Sequence, residues 1–131
     1  MKSIDLIQAK YKDDPWKLMV CCILLNQTTN QQVRSLIEKF FINYPDYNKI
    51  KEENLSHISA LIKSTGFQNV KARRIIKMSQ QFQTGFESPT ELCGIGKYGL
   101  EVWEIFVNKN TEIKPTDKKL QIYLSSLVRN P

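Results

Sequence analysis

Apolar residues recur along most of this chain at spacings of three and four, the period of helices that bury one face. Leu6, Ile7 and Tyr11 predict a short opening helix. Asp14-Pro15 reads as an N-cap followed by a first helical residue. Trp16, Leu18, Met19, Cys22, Ile23 and Leu25 then make a helix apolar nearly all round, expected to be central and buried. Asn26 to Asn30 breaks the pattern with capping residues, and Val33, Leu36, Ile37, Phe40 and Phe41 form the next stripe, which Pro45 closes. Leu55, Ile58, Leu61 and Ile62 give a shorter helix, for which Gly66 is placed as a left-handed C-terminal cap. Val70, Ile75, Ile76, Met78, Ser79 and Phe82 carry a longer one, whose outward face is assigned Lys71, Arg73, Arg74 and Lys77. Ser88-Pro89 starts a brief helix, and Val102, Trp103, Ile105 and Phe106 mark another. Lys114-Pro115-Thr116-Asp117 opens the last, with Leu120, Leu124, Leu127 and Val128 inward. No stretch alternates convincingly with period two, so the expected class is all-α, one compact helical domain over residues 1–131.

Charge adds a partner class. Nineteen Lys and Arg against 13 Asp and Glu give a net charge of +6, which favours a polyanion or an anionic membrane over acidic proteins. The membrane is disfavoured because no helix pairs a bare apolar face with a continuous basic one, and no run approaches the ~20 apolar residues of a span. Cys21, Cys22 and Cys93 are three cysteines without C-x-x-C spacing. That count predicts a reducing compartment and excludes a four-cysteine zinc or iron–sulfur site, so no metal and no cofactor are expected. The first residues lack a secretory signal pattern, and the protein is expected not to be secreted.

The candidate chemistry sits in Leu92-Cys93-Gly94-Ile95-Gly96-Lys97-Tyr98-Gly99, read with Asp117 nineteen positions beyond Tyr98. Gly94 and Gly96 bracket Ile95, so the segment can turn at positive φ and present backbone N–H groups to a phosphate while Ile95 pins it to the core. Taken alone, a G-x-G between helices is a connector, and an aspartate after Pro-Thr is a helix cap. Leu6-Ile7-Gln8, Asp14-Pro15-Trp16-Lys17-Leu18, Leu25-Asn26, the Gly-Ile-Gly-Lys-Tyr-Gly core and Pro115-Thr116-Asp117-Lys118-Lys119-Leu120 follow one another in an order that completes the picture. Together they resemble the helix-hairpin-helix DNA glycosylase superfamily, and within it the branch of methyl-CpG-binding domain protein 4 glycosylase domains.

That resemblance implies a monofunctional DNA N-glycosylase of base excision repair. Its substrate would be thymine or uracil mispaired with guanine in double-stranded DNA, flipped out of the helix by a monomeric enzyme. Asp117 takes the catalytic position, where an ionised carboxylate stabilises positive charge on the sugar or activates water. Tyr98 stands where strand-cutting relatives carry a Schiff-base lysine, and a tyrosine cannot form that imine. Gln8 and Lys119 match base-pocket positions. Phe67, by itself a core side chain over a helix end, takes the place of an intercalating leucine wedge. Gln27 replaces an arginine that the branch inserts toward the vacated space. Gly94, Ile95, Gly96 and Lys97 of the hairpin are the expected contacts to the DNA backbone, with Lys71, Arg73, Arg74 and Lys77 contributing sequence-independent attraction. The methyl-CpG-reading domain of that branch is missing from the sequence, so a stand-alone catalytic domain or a fragment is expected. The location would be nuclear if eukaryotic and otherwise cytoplasmic. Two alternatives stay open: a non-catalytic helix-hairpin-helix DNA-binding protein, needing no acid at 117, and a glycosylase for another damaged base.

Overall fold

The computed structural model describes residues 6–129, and every regular element among them is helical. Seven α-helices run in chain order: α1 Ile7–Lys10, α2 Pro15–Leu25, α3 Asn30–Asn43, α4 Leu55–Leu61, α5 Gln68–Thr84, α6 Lys97–Val102 and α7 Lys118–Arg129. Short 3-10 turns link them, and a π-helical turn, Trp103–Val107, extends α6. No described helix is long and apolar enough to cross a membrane.

The central position of α2 follows from its sequence. Asp14 caps it by accepting the Lys17 N–H at 3.1 Å, Pro15 occupies its first turn, and its residues from Leu18 to Leu24 are all buried. It packs on α1, α3, α5 and α6. Burying one side chain of this size is worth about 1.5–3 kcal/mol, so a helix apolar all round is stable only in such a surrounded position. Trp16 donates its indole N–H to the Ser79 hydroxyl at 2.9 Å, and Ser79 donates onward to the Ile75 carbonyl, which removes a buried polar cost between α2 and α5. Thr29 and Gln32 close a capping box that starts α3 after the polar break. His57 on α4 is joined to the Tyr44 hydroxyl, tying α4 to the end of α3.

Three expectations are corrected. Lys71 does not belong to the outward basic face: it is 1% exposed, with its ammonium inside the molecule. Gly66 does not end α4 as a left-handed cap. A 3-10 turn, Lys63–Thr65, intervenes; Gly66 adopts φ 77° and ψ 161°, and the left-handed residue is its neighbour Phe67 at φ 49° and ψ 37°. Leu127 does not reach the core but is exposed near the end of α7, and Leu120 and Leu124 do the packing. The side chain of Val128 lies outside the described residues.

Candidate active site

A cleft of about 1100 Å³ opens where the end of α2, the turn before α3, the hairpin before α6 and the start of α7 converge. Asp117, Tyr98, Lys119 and Gln27 line it together with the hairpin residues Gly94 to Lys97 and with Arg74. Most of the residues singled out in sequence thus meet in one place. Arg73 is exposed on α5 and lies off the cleft lining, as does Phe67.

The hairpin is held from both sides. Gln81 on α5 donates to the Glu91 carbonyl at 2.8 Å and accepts the Cys93 N–H at 2.7 Å, bracketing Leu92, which is buried. Gly94 turns at φ 80°, and a Cβ there would stand 3.0 Å from the Arg74 Cβ, so the Arg74 stem lies directly on the turn. Gly96 departs from expectation: its φ is −107°, outside the left-handed region, and its Cα faces open space. Its missing side chain matters for approach from outside rather than for the turn. Ile95 seats in the space that Gly99 leaves, since a Cβ on Gly99 would lie 2.6 Å from Ile95 Cγ2.

Tyr98 projects from the first turn of α6 onto the cleft wall. Its hydroxyl accepts a 2.7 Å hydrogen bond from Gln8 Nε2, reaching across from α1. Burial, aided by the neighbouring Cys22 and Asp117, raises the Tyr98 pKa well above its ordinary value. The phenol therefore keeps its proton, and with Gln8 as donor to its oxygen, that proton is free for a ligand's carbonyl. Gln8 itself is fully buried behind Tyr98 and does not line the cleft; its Oε1 has no partner among the described residues. Beneath them, burial pushes the Cys22 thiol up to about 12, so this wall carries no charge at physiological pH.

Asp117 stands immediately before α7, and its Oδ2 accepts the Leu120 N–H at 3.0 Å. The capping reading of this residue is thus correct, and it does not compete with a role in the cleft, which Asp117 also lines. The turn leading to it is fixed by Glu101 of α6, whose carboxylate accepts the Thr116 N–H at 2.7 Å and the Thr116 hydroxyl at 3.3 Å. Among the lining residues Asp117 is the one acid, against Arg74, Lys97, Lys118 and Lys119. A cleft so charged attracts a polyanion.

Several participants escaped the sequence reading. Cys22 carries only a core signal in sequence and Leu25 no site role, although α2 ends under the cleft and both line it. Ile122 lines the cleft from α7 and is exposed; as an apolar residue off the Leu120–Leu124 stripe it carried a readable signal. Asn30 also lines it, with a buried Oδ1 that lacks a partner among the described residues. Glu101, a carboxylate set among Leu100, Val102 and Trp103, signalled itself only as an anomaly in an apolar run.

Two exposed residues in connecting turns, one lining the cleft and one off it, are strained. Gln27, between α2 and α3, has φ 56°, and Phe67, just before α5, has φ 49° with 61% of its surface exposed. Such left-handed geometry costs a non-glycine residue on the order of 1–3 kcal/mol, and neither side chain recovers it by packing in the core.

Comparison with known proteins identifies the family of the chain. The HhH-GPD superfamily of base excision DNA repair proteins matches residues 20–128. The chain belongs to this superfamily. It is 34% identical over 121 residues to a methyl-CpG-binding domain protein 4-like protein of Arabidopsis thaliana, covering 91% of this chain and 27% of that protein. It is 28% identical over 93 residues to a thymine/uracil-DNA glycosylase of Pyrobaculum aerophilum, covering 65% of this chain and 40% of that protein. A thymine-DNA glycosylase of Aeropyrum pernix is 27% identical over 93 residues, with 65% and 42% covered. The chain thus spans less than half the length of these relatives, and what it shares with them is the helix-hairpin-helix body, all-α as its sequence pattern predicts.

Proposed function

We propose that this chain is a monofunctional DNA N-glycosylase that removes thymine or uracil mispaired with guanine. The observation that carries the reading is the convergence of Asp117 and the Gln8-supported Tyr98 on one electropositive cleft beside the hairpin. A duplex would lie over the rim with its backbone on the N–H groups of Gly94, Ile95 and Gly96 and on Lys97, while Arg73 and Arg74 add sequence-independent attraction. The extruded pyrimidine would enter the cleft, with Phe67 and Gln27 supporting the space it leaves. Tyr98 then donates its proton to a pyrimidine carbonyl, and Lys119 bears on the base or the adjacent phosphate.

As the N-glycosidic bond lengthens, positive charge builds on the sugar and negative charge on the departing base. The Asp117 carboxylate stabilises the former and orients and deprotonates the attacking water, work that contributes typically 10²–10⁴-fold. Because residue 98 is a tyrosine, no imine with the sugar is expected from that position, and the product is an intact abasic site. The thymine and uracil relatives favour a pyrimidine as substrate, and the Gln8–Tyr98 pair supplies polar groups that suit its imide edge.

The deciding experiment is single-turnover incubation at low salt with duplexes carrying G·T, G·U, A·U or G·C, read with and without alkali and repeated with Asp117→Asn. Alkali-dependent cleavage at G·T and G·U, reduced at least a hundredfold in the variant, is the expected result. Strand scission without alkali, or a borohydride-trapped adduct, would overturn the monofunctional reading. Equal binding by both proteins with no product from any duplex would leave a non-catalytic DNA-binding module.

A further inference from the structure

The turns that carry the two strained residues, Gln27 and Phe67, are joined through one buried cation. The Lys71 ammonium donates to the Leu24 carbonyl at 2.9 Å and to the Thr65 carbonyl at 2.8 Å. Leu24 lies three residues before Gln27, and Thr65 two before Phe67. Lys71 also gives its backbone N–H to the Phe67 carbonyl at 2.9 Å, so it grips the Gly66-Phe67 turn from both sides. Burying an ammonium is costly when only carbonyls receive it, and a neutral apolar residue would fill the same volume without that cost. What a hydrocarbon could not do is hold two carbonyls from separate elements against a single atom. Both segments need such a hold, because left-handed residues persist only where their surroundings over-determine them.

We infer that Lys71 is a positioning residue for base extrusion, fixing Phe67 and Gln27 in register so that both reach the gap left by one flipped nucleotide. This rests on the base-flipping reading above. Lys71 touches neither base nor sugar; it sets the separation of the two turns that do the work at the DNA. The coupling is local, running from one ammonium through three residues on one side and two on the other.

The test is the fluorescence of 2-aminopurine placed beside a non-cleavable 2′-fluoro-deoxyuridine opposite guanine, which rises when the uracil leaves the stack. Lys71→Met is compared in two backgrounds, the native chain and Phe67→Ala/Gln27→Ala, with thermal melts confirming that each variant folds. The expected result is about a tenfold smaller extruded population in the native background and less than a twofold change in the doubly substituted one. An equal loss in both backgrounds would overturn the inference, because a general weakening of the fold acts irrespective of Phe67 and Gln27. If Phe67→Ala/Gln27→Ala itself extrudes uracil normally, the base-flipping role of the two turns fails and the inference falls with it. Should Lys71→Met not fold, Lys71→Arg keeps the cation but alters the spacing. It is expected to lower extrusion about threefold in the native background alone, and an equal loss in both would again refute the proposal.

Discussion

The side-chain amide of Gln8 donates a 2.7 Å hydrogen bond to the hydroxyl of Tyr98, joining the first helix to the first turn after the hairpin across ninety residues of chain. The pair fixes which way the phenol points, and it does so at a cost, since Gln8 is fully buried and its Oε1 has no partner among the described residues. A buried acceptor left without a partner costs about 1–3 kcal/mol, whereas an apolar group of similar shape costs nothing of that kind. Gln8→Leu is therefore expected to be at least as stable as the native chain in urea denaturation. Its excision of uracil from G·U should fall at least tenfold. A loss of stability equal to the loss of activity would mean that Gln8 serves the fold alone. Tyr98→Phe is the counterpart: it removes the hydroxyl that receives the buried Gln8 amide and should destabilise by about 1–3 kcal/mol.

Glu101 offers a second test of how the site is held. Its two oxygens accept from Thr116, and Asp117 is the next residue. Hydrogen bonds to a charged partner contribute about 1.5–3 kcal/mol. Glu101→Ala should lower unfolding free energy by about that amount and reduce single-turnover excision with little change in binding to abasic product. A variant with weakened stability but native excision would show that the Pro115–Asp117 turn holds its geometry without Glu101.

How much of this was legible in sequence depends on which signal each residue carried. The burial of α2 was written in an apolar run with a cap before it, and the hairpin in two glycines around an isoleucine. Lys71 was misplaced although its spacing was informative: Lys71, Ile75 and Met78 stand at i, i+4 and i+7 on one buried face. Residue type argued for solvent, and only the two carbonyls contributed by other segments reversed it. The left-handed conformation of Phe67 was unreadable for a similar reason. Gly66 offered itself as the residue with positive φ, whereas the chain uses positive φ at both positions. Asp117 was legible as a cap and as a residue of the candidate site at once, because one carboxylate at the start of α7 both accepts the Leu120 N–H and lines the cleft.

Alkaline pH should loosen the cleft wall formed by Cys22 and Tyr98. Burial raises the folded-state pKa of Cys22 from its ordinary 9.0 to about 12, and Tyr98 is raised as well. A group whose pKa is higher folded than unfolded contributes stability that is full below the unfolded value and declines as pH rises toward the folded one. The Cys22 contribution is thus complete below about pH 9 and diminishes between 9 and 12. Lys71 acts with the opposite sign, since burial lowers its folded-state pKa: the cost of burying its ammonium is full below that lowered value and is relieved as pH rises to its ordinary 10.5. Thermal melts of the native chain and Cys22→Ala from pH 8 to 11 separate these effects. The native melting temperature should fall from pH 9 upward, and the variant's should fall less steeply. Parallel curves would show that Cys22 does not link pH to stability.

The last prediction concerns Gln27, which stands on the cleft rim at φ 56° and, in the branch this sequence resembles, replaces an arginine. An amide at that place offers hydrogen bonds but no charge, so the contribution of residue 27 to DNA affinity should be insensitive to salt. Gln27→Arg restores a cation at the rim of a cleft that already carries Arg74, Lys97, Lys118 and Lys119. Each additional phosphate neutralised steepens the dependence of log affinity on log salt by about 0.9 for duplex DNA. The variant should therefore bind abasic product opposite guanine more tightly at low salt, with a slope steeper by about that amount, and release it more slowly in multiple turnover. Gln27→Ala should leave the slope unchanged. If Gln27→Arg binds more tightly but with the native slope, the guanidinium contacts bases rather than phosphate, and the gain should then depend on the opposite base. A change in neither affinity nor slope would place residue 27 outside the DNA interface altogether, because a new cation within reach of the backbone always leaves its mark in the salt dependence.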